Sequence, residues 1–252
     1  MLHNDMMRAL DPVEFSKYIG IEPDPWQAEV LRSEDKRLLL NCSRQSGKST
    51  TTAIKGLHRA LYTPKSLILL VSPSQRQSTE LFRKVKDAYS AMEERPGLTE
   101  DNKLSLTLTN GSRIVSLPGD QATVRGYSGV TLILEDEAAQ VSDDFYHAIL
   151  PMLIVNNGIL IMMSTPFGKR GHFFEEWENG GSRWKRIQIP ADMCPRITEE
   201  QLEAQRRSLG DMFFQQEFMC EFVELEDSSF RYDLIQRAFS DEVEPLFAEV
   251  SA

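Results

Sequence analysis

The sequence predicts an α/β fold with a mainly parallel central sheet flanked by helices. Short apolar, β-rich runs alternate with amphipathic stretches, which is the rhythm of βαβ units. Two of these runs end in polar groups suited to a ligand at the C-terminal edge of such a sheet. At 252 residues and 41% hydrophobic content, the chain has enough apolar material for one globular domain, or a domain with a small appendage.

Core strands are expected at Arg37–Asn41, Ser66–Val71, Thr131–Glu135 and Gly158–Ser164, with a fifth at Trp184–Ile189. Helices are expected at Lys48–Tyr62, Ser74–Met92, Asp143–Leu150 and Gly171–Asn179. The run LSLTLTNGSRIVSLPG departs from this rhythm, because apolar residues alternate on both sides of Asn110-Gly111. That pattern signals a hairpin with a type I′ turn, so Lys103–Leu117 is expected as an antiparallel excursion on the sheet edge. After Pro195 the stretch ITEEQLEAQRRSLGDMFFQQEFMCEF reads as helical, opens on a Thr198 cap followed by acidic residues, and breaks at Gly210. Residues 1–194 are therefore read as the core, and 195–252 as a smaller lid-like subdomain with the start of a linker.

Composition excludes several function classes. A net charge of −10 argues against non-specific adhesion of the whole surface to nucleic acid or anionic lipid, but leaves room for a locally basic groove or pore. Cys42, Cys194 and Cys220 are scattered without metal-ligand spacing and read as reduced thiols, which points to the cytoplasm. His3, His58, His147 and His172 share no ligand spacing, so no metal is expected beyond one bound with a nucleotide. Met152, Met162 and Met163 read as core filler. The N-terminus has no apolar leader, and runs such as ILIMM fall far short of a membrane span.

The chemistry is concentrated in LLLNCSRQSGKSTTTAIKGL, Leu38 to Leu57. Gly47, Lys48 and Ser49 are in register with the phosphate-loop pattern GxxxxGK[ST], while Cys42 stands where its first glycine belongs. A strand, a glycine-bearing turn and a helix N-terminus aim backbone N–H groups and a positive helix end at one point, which suits a polyphosphate. Lys48 adds a point charge for the β and γ phosphates, and the Ser49 hydroxyl can hold Mg²⁺. In TLILEDEAAQV a hydrophobic strand ends in Asp136-Glu137, suited respectively to holding the metal and polarising an attacking water. A chance Gly-Lys-Ser at a helix start, or an acidic cap after a strand, would explain either motif alone. Both in order, on predicted strands, argue for ATP hydrolysis.

Together SRQSGKST, LEDEAAQV and ILIMMSTPFGKRGHFFEEW resemble the ATPase domain of the large terminase subunit, the motor that packages DNA into tailed-phage capsids. The resemblance implies a P-loop NTPase of the type with a catalytic glutamate, in which departure from the initial glycine is characteristic. It implies that Ser43, Arg44, Gln45, Ser46, Gly47, Lys48, Ser49 and Thr50 line the phosphates, with Arg44 facing the nucleotide. Asp136 and Ser49 would hold Mg²⁺, and Glu137 would activate water. Gln27, with Trp26 beside it, resembles the glutamine that reads adenine. Ser164 and Thr165 fall at the coupling motif that senses the γ-phosphate, and Arg125 resembles an arginine inserted into a neighbouring subunit's site.

The same resemblance implies double-stranded DNA, a homo-oligomeric ring expected to be a pentamer, the capsid portal and the small terminase subunit as partners, in the cytoplasm of an infected host cell. DNA contact is expected from Arg83, Lys84, Lys86, Lys169, Arg170, Arg183 to Arg186, Arg206 or Arg207. Full-length large terminases add a nuclease with clustered carboxylates, and no strand-borne acidic cluster follows here. The chain therefore reads as a fragment or a short subunit, and no nuclease activity is expected of it. A helicase-like or RecA-like repair ATPase, and an ATP-gated assembly module, are the alternative readings.

Overall fold

The computed structural model describes residues 2–118 and 126–224. Arg125 and the chain after residue 224, which carries the expected linker, lie outside the described residues.

Three helices precede the first strand: α1 (Leu2–Leu10), α2 (Pro12–Tyr18) and α3 (Pro25–Arg32). They are absent from the sequence-based expectation, although Asp-Pro opens both α2 and α3. At α2 the Asp11 carboxylate accepts from the Val13 N–H at 2.9 Å, so the cap satisfies a donor that the first turn leaves orphaned.

The remaining elements alternate as expected. They are β1 (Arg37–Cys42), α4 (Lys48–Tyr62), β2 (Leu67–Ser72), α5 (Gln75–Ser90), β3 (Leu98–Asp101), β4 (Ser105–Leu108), β5 (Arg113–Pro118), β6 (Leu132–Asp136), α6 (Asp143–Ile149), β7 (Ile159–Ser164), α7 (Gly171–Glu178) and β8 (Lys185–Ile189), followed by α8 (Glu199–Leu209) and α9 (Asp211–Glu217). Among the described residues the strands form one sheet in the order β3-β4-β5-β2-β6-β7-β1-β8. Pairing is parallel from β5 through β8 and antiparallel at the β3 end.

Side chains alternate between two cores, as the two-residue strand period requires. Leu38, Leu40, Ile68, Leu70, Leu134 and Ile161 pack with α2 to α5, whereas Leu39, Leu69, Ile133 and Leu160 pack with Phe145, Ile149 and Phe173 from α6 and α7. Met152, Met162 and Met163 are buried in these cores.

The hairpin differs from expectation in turn type and position. Of the two turn residues only Gly111 has a positive φ (82°), and its N–H donates to the Leu108 carbonyl at 2.9 Å, while the Leu108 N–H donates to the Ser112 carbonyl at 2.8 Å. This is the type I turn with a left-handed glycine bulge, not type I′. Asn110 is engaged elsewhere. Its side-chain amide donates to the carbonyls of Ala60 and Leu61 at 2.8 and 3.0 Å, satisfying the C-terminus of α4. Nor is the hairpin at the edge. β5 pairs parallel with β2, and the edge is β3, a short polar strand whose sequence LTED lacks the alternation that would reveal it.

Candidate active site

Because β6, β7 and β1 are neighbours, the loops leaving their C-terminal ends meet at one sheet edge. Asn41 of β1 lies level with Ser164 of β7, and Asp136 of β6 level with Met163.

The phosphate loop runs from Ser43 to Gly47. Cys42 is still part of the sheet, opposite Ile189, and Ser43 donates its N–H to the Ile189 carbonyl at 2.9 Å. A glycine conformation is not needed there. Burial pushes the Cys42 thiol up to about 12, so it is a packing group. The reversals come later, at Gln45 (φ 59°) and Gly47 (φ 97°), which is also the N-cap of α4.

Two side chains hold the loop from outside. The Gln27 amide donates to the Ser46 carbonyl at 3.3 Å, while its own oxygen accepts from the Asp24 N–H at 2.9 Å. Arg196 donates to the same Ser46 carbonyl at 2.9 Å and pairs with Asp24 at 2.8 Å. The N–H groups of Gln45, Ser46, Gly47 and Lys48 have no acceptor among the described residues, and the Ser46 hydroxyl is fully buried without a partner. Orphaned donors converging at a helix N-terminus fit a polyphosphate.

Lys48 is buried, with Nζ 3.3 Å from Glu137 Oε1. Burial works against its ammonium, but the charges of Glu137 and Asp136 outweigh it and hold its pKa above the ordinary lysine value. Burial, then the neighbouring Glu137, push the Asp136 carboxyl up to about 6, with Lys48 and a Ser49 hydrogen bond opposing. Glu137 sits in the left-handed region (φ 53°), a conformation that costs a non-glycine residue about 1–2 kcal/mol. There its Oε2 accepts from the Ser164 hydroxyl at 3.4 Å, and that hydroxyl accepts from the Ala139 N–H at 3.3 Å. Strained backbone thus brings Glu137 between Lys48 and Ser164.

Other expected residues are elsewhere. Trp26 lies in the hydrophobic core beneath the loop, not on its surface. Arg44 is ion-paired with Glu217 of α9, and its N–H donates to the Glu217 carbonyl at 3.1 Å. Thr50 accepts from Lys84 at 3.2 Å, and Thr165 is buried behind Ser164. A cavity of about 570 Å³ opens beside the loop, between Arg44, Gln45 and Arg196 on one side and Leu202, Leu209 and Phe213 of α8 and α9 on the other.

Most of the basic runs are neutralised locally. Arg83 pairs with Glu80, Lys86 with Asp101, Arg183 with Glu176, Lys185 with Glu29 and Arg206 with Asp211. Arg186 donates to the carbonyls of Glu176, Trp177, Gly181 and Trp184.

A second polar cluster backs the site. His172 lies 3.0 Å from Glu135 on one ring nitrogen and 3.0 Å from Asp143 on the other, and stacks on Tyr146 at 4.4 Å. Glu135 precedes Asp136 on the opposite sheet face, so this histidine joins β6, α6 and α7. Ligand spacing gives no hint of this cluster, and none of Arg196, Glu217 and Asp24 is among the residues expected at the loop, because they reach it from distant segments. Only Asp24 carries a signal, as a cap three residues before Gln27.

The family model for the terminase large subunit, T4likevirus type, N-terminal region, matches residues 39–237. The chain belongs to the terminase large-subunit family. Terminase large subunits of Thermus phage G20c and Thermus virus P23-45 are each 27% identical to it over 89% of its length. The chain spans about half the length of these curated relatives (54%). The solved ATPase domain of the Thermus phage P74-26 large terminase is similar to it with a TM-score of 0.73 at 23% identity, covering 83% of this chain and 98% of that one. The HK97 bacteriophage large terminase has a TM-score of 0.69 at 18% identity, over 85% of this chain and 55% of that one. The large terminase of another thermophilic bacteriophage, solved with ADP, has a TM-score of 0.65 at 15% identity, over 79% of this chain and 53% of that one. These terminase likenesses establish the fold as that of P-loop ATPases with a catalytic glutamate.

Proposed function

We propose that this chain is an ATP-hydrolysing motor domain that drives double-stranded viral DNA into a capsid. The observation that carries the reading is the meeting of Lys48, Asp136, Glu137 and Ser164 at one sheet edge, beneath a loop with unbonded amides. Complexes of the thermophilic bacteriophage large terminase with ADP and ATP-gamma-S support a nucleotide at the equivalent fold position.

The loop amides and Lys48 bind the phosphate chain. Ser49 and Asp136 would hold Mg²⁺, which neutralises phosphate charge when bound. Glu137 accepts a proton from the attacking water, and its contact with Ser164 passes the loss of the terminal phosphate to the β7–α7 loop. Arg44 exchanges Glu217 for phosphate oxygens, for which its planar fork is suited. Gln27 keeps a hydrogen and a lone pair beyond its loop contacts, which leaves it able to meet the adenine edge. Arg125 completes the site of a neighbouring subunit in a ring, expected to be a pentamer, docked on the capsid portal with the small terminase subunit. Residues from 195 onward act as a lid over the 570 Å³ cavity.

Steady-state ATPase rate against protein concentration tests this. Wild type should gain specific activity as concentration rises, Arg125→Ala should lose that gain, and Lys48→Ala should fall to background. Equal turnover in wild type and Lys48→Ala would refute the active site; a flat, Arg125-independent rate would refute the ring.

A further inference from the structure

Each cation already placed around the loop has a carboxylate. Lys48 has Glu137, Arg44 has Glu217 and Arg196 has Asp24. Lys84 does not. Its Nζ donates to Thr50 Oγ1 at 3.2 Å, and among the described residues no carboxylate lies within ion-pair distance of it. Its neighbours on α5 behave differently: Arg83 and Lys86 are paired with Glu80 and Asp101.

The place of this charge is also unusual. Thr50 belongs to the first turn of α4, where the helix dipole is positive and a cation is disfavoured. Lys84 is brought there by the packing of α5, because Leu81, Phe82, Val85 and Ala88 form its buried stripe and fix its rotation against the sheet and α4. The half-buried ammonium therefore stands beside orphaned loop amides, the unpartnered Ser46 hydroxyl and a positive helix end. It also adds a positive charge felt by Asp136. A concentration of donors and positive charge with no local counter-charge is the complement of a polyphosphate.

We propose that Lys84 is a phosphate ligand of the nucleotide site, supplied in cis by α5, rather than a DNA contact. The inference rests on the ATP-site reading above. Two positive side chains, Lys48 from the loop and Lys84 from the flank, then hold the phosphate chain from different sides.

The test is calorimetric binding of ATP and ADP, with Mg²⁺, to the full chain as wild type, Lys84→Gln, Lys84→Arg and Lys48→Ala, together with a double-stranded DNA titration. Lys84→Gln should weaken ATP binding at least tenfold, Lys84→Arg should restore most of it, and Tm without nucleotide and DNA affinity should stay at wild-type values. Loss for both ATP and ADP marks contact with the inner phosphates and loss for ATP alone marks the terminal one; either supports the assignment. Wild-type ATP affinity in Lys84→Gln overturns it, as does a loss of DNA binding with ATP affinity intact. A lowered Tm in both Lys84 variants, with no rescue by arginine, marks a packing defect and also overturns it. If wild type binds ATP and Lys48→Ala does not, failure at Lys84 leaves the nucleotide site standing; if wild type binds no ATP, both fall.

Discussion

Glu137→Gln separates the two roles assigned to Glu137. Glutamine keeps the shape of the side chain and carries the same left-handed backbone cost at φ 53°, so the substitution removes charge and little else. The charge matters twice. As acceptor of the water's proton it contributes about 10²–10⁴ to the rate. As partner of Lys48 at 3.3 Å it competes with phosphate for the ammonium. Lys48 is 8% exposed and Glu137 24%, so the pair lies between the surface and buried cases, roughly 1–3 kcal/mol. ATP binding has to break that pair, and part of its energy returns as affinity once the carboxylate is gone. Taking the lower half of that range, ATP should bind about 5–20-fold more tightly while turnover falls by at least about 10². Calorimetric titration and steady-state phosphate release measure the two effects on one preparation. Turnover within twofold of wild type would remove Glu137 from its role, and weaker ATP binding would refute the competition argument.

Gly47→Ala should destabilise the loop and abolish ATP binding, because at φ 97° alanine costs about 1–2 kcal/mol and its Cβ would lie 2.7 Å from the Gln27 amide; an unchanged Tm would contradict this. Gly158→Ala should cost about 1–3 kcal/mol in denaturant unfolding, since its Cβ would come within 2.5 Å of the Val130 carbonyl, a backbone atom that cannot swing away; an unfolding midpoint equal to wild type would refute that. His172 is pulled down by burial, but the hydrogen bond and charge of Glu135, with Asp143, outweigh this and raise its pKa above 6.5. Its stabilising contribution is then complete below pH 6.5 and is lost as pH rises through the folded value, so His172→Gln should flatten the decline in unfolding midpoint over that window; an identical profile would show that the histidine is not the titrating group.

The five core strands and the helices between them were legible because burial imposes period: β1, β2, β6 and β7 are apolar runs covered on both faces, and α4, α5 and α7 carry stripes that match. The edge strand β3 was illegible for the opposite reason, since an exposed LTED carries no hydrophobic instruction and is held by its pairing with β4. Asn110 misled because a side-chain contact with α4 displaced the turn type that its dipeptide favours in isolation. In the site, Lys48, Asp136 and Glu137 were readable from motif spacing. Arg196 and Glu217 were not, because their relation to the loop is created only when the segment after β8 returns to it.

The loop without its first glycine follows from where the sheet ends. In β1 the chain is still paired with β8 at Cys42, and the next N–H reaches Ile189, so Ser43 is held in extended continuity with the strand. A glycine at position 42 would remove a fully buried side chain from the core without any backbone reversal to justify it. The reversal instead falls on Gln45 and Gly47, closer to α4, and the intervening Ser46 carbonyl is tied by Gln27 and Arg196. Two external donors on that one carbonyl hold the loop while its amides stay unbonded. Conformational freedom that a first glycine would supply is replaced here by side chains from α3 and from the segment before α8. The shape of the phosphate loop is therefore a property of the tertiary structure, and the motif is only its visible part.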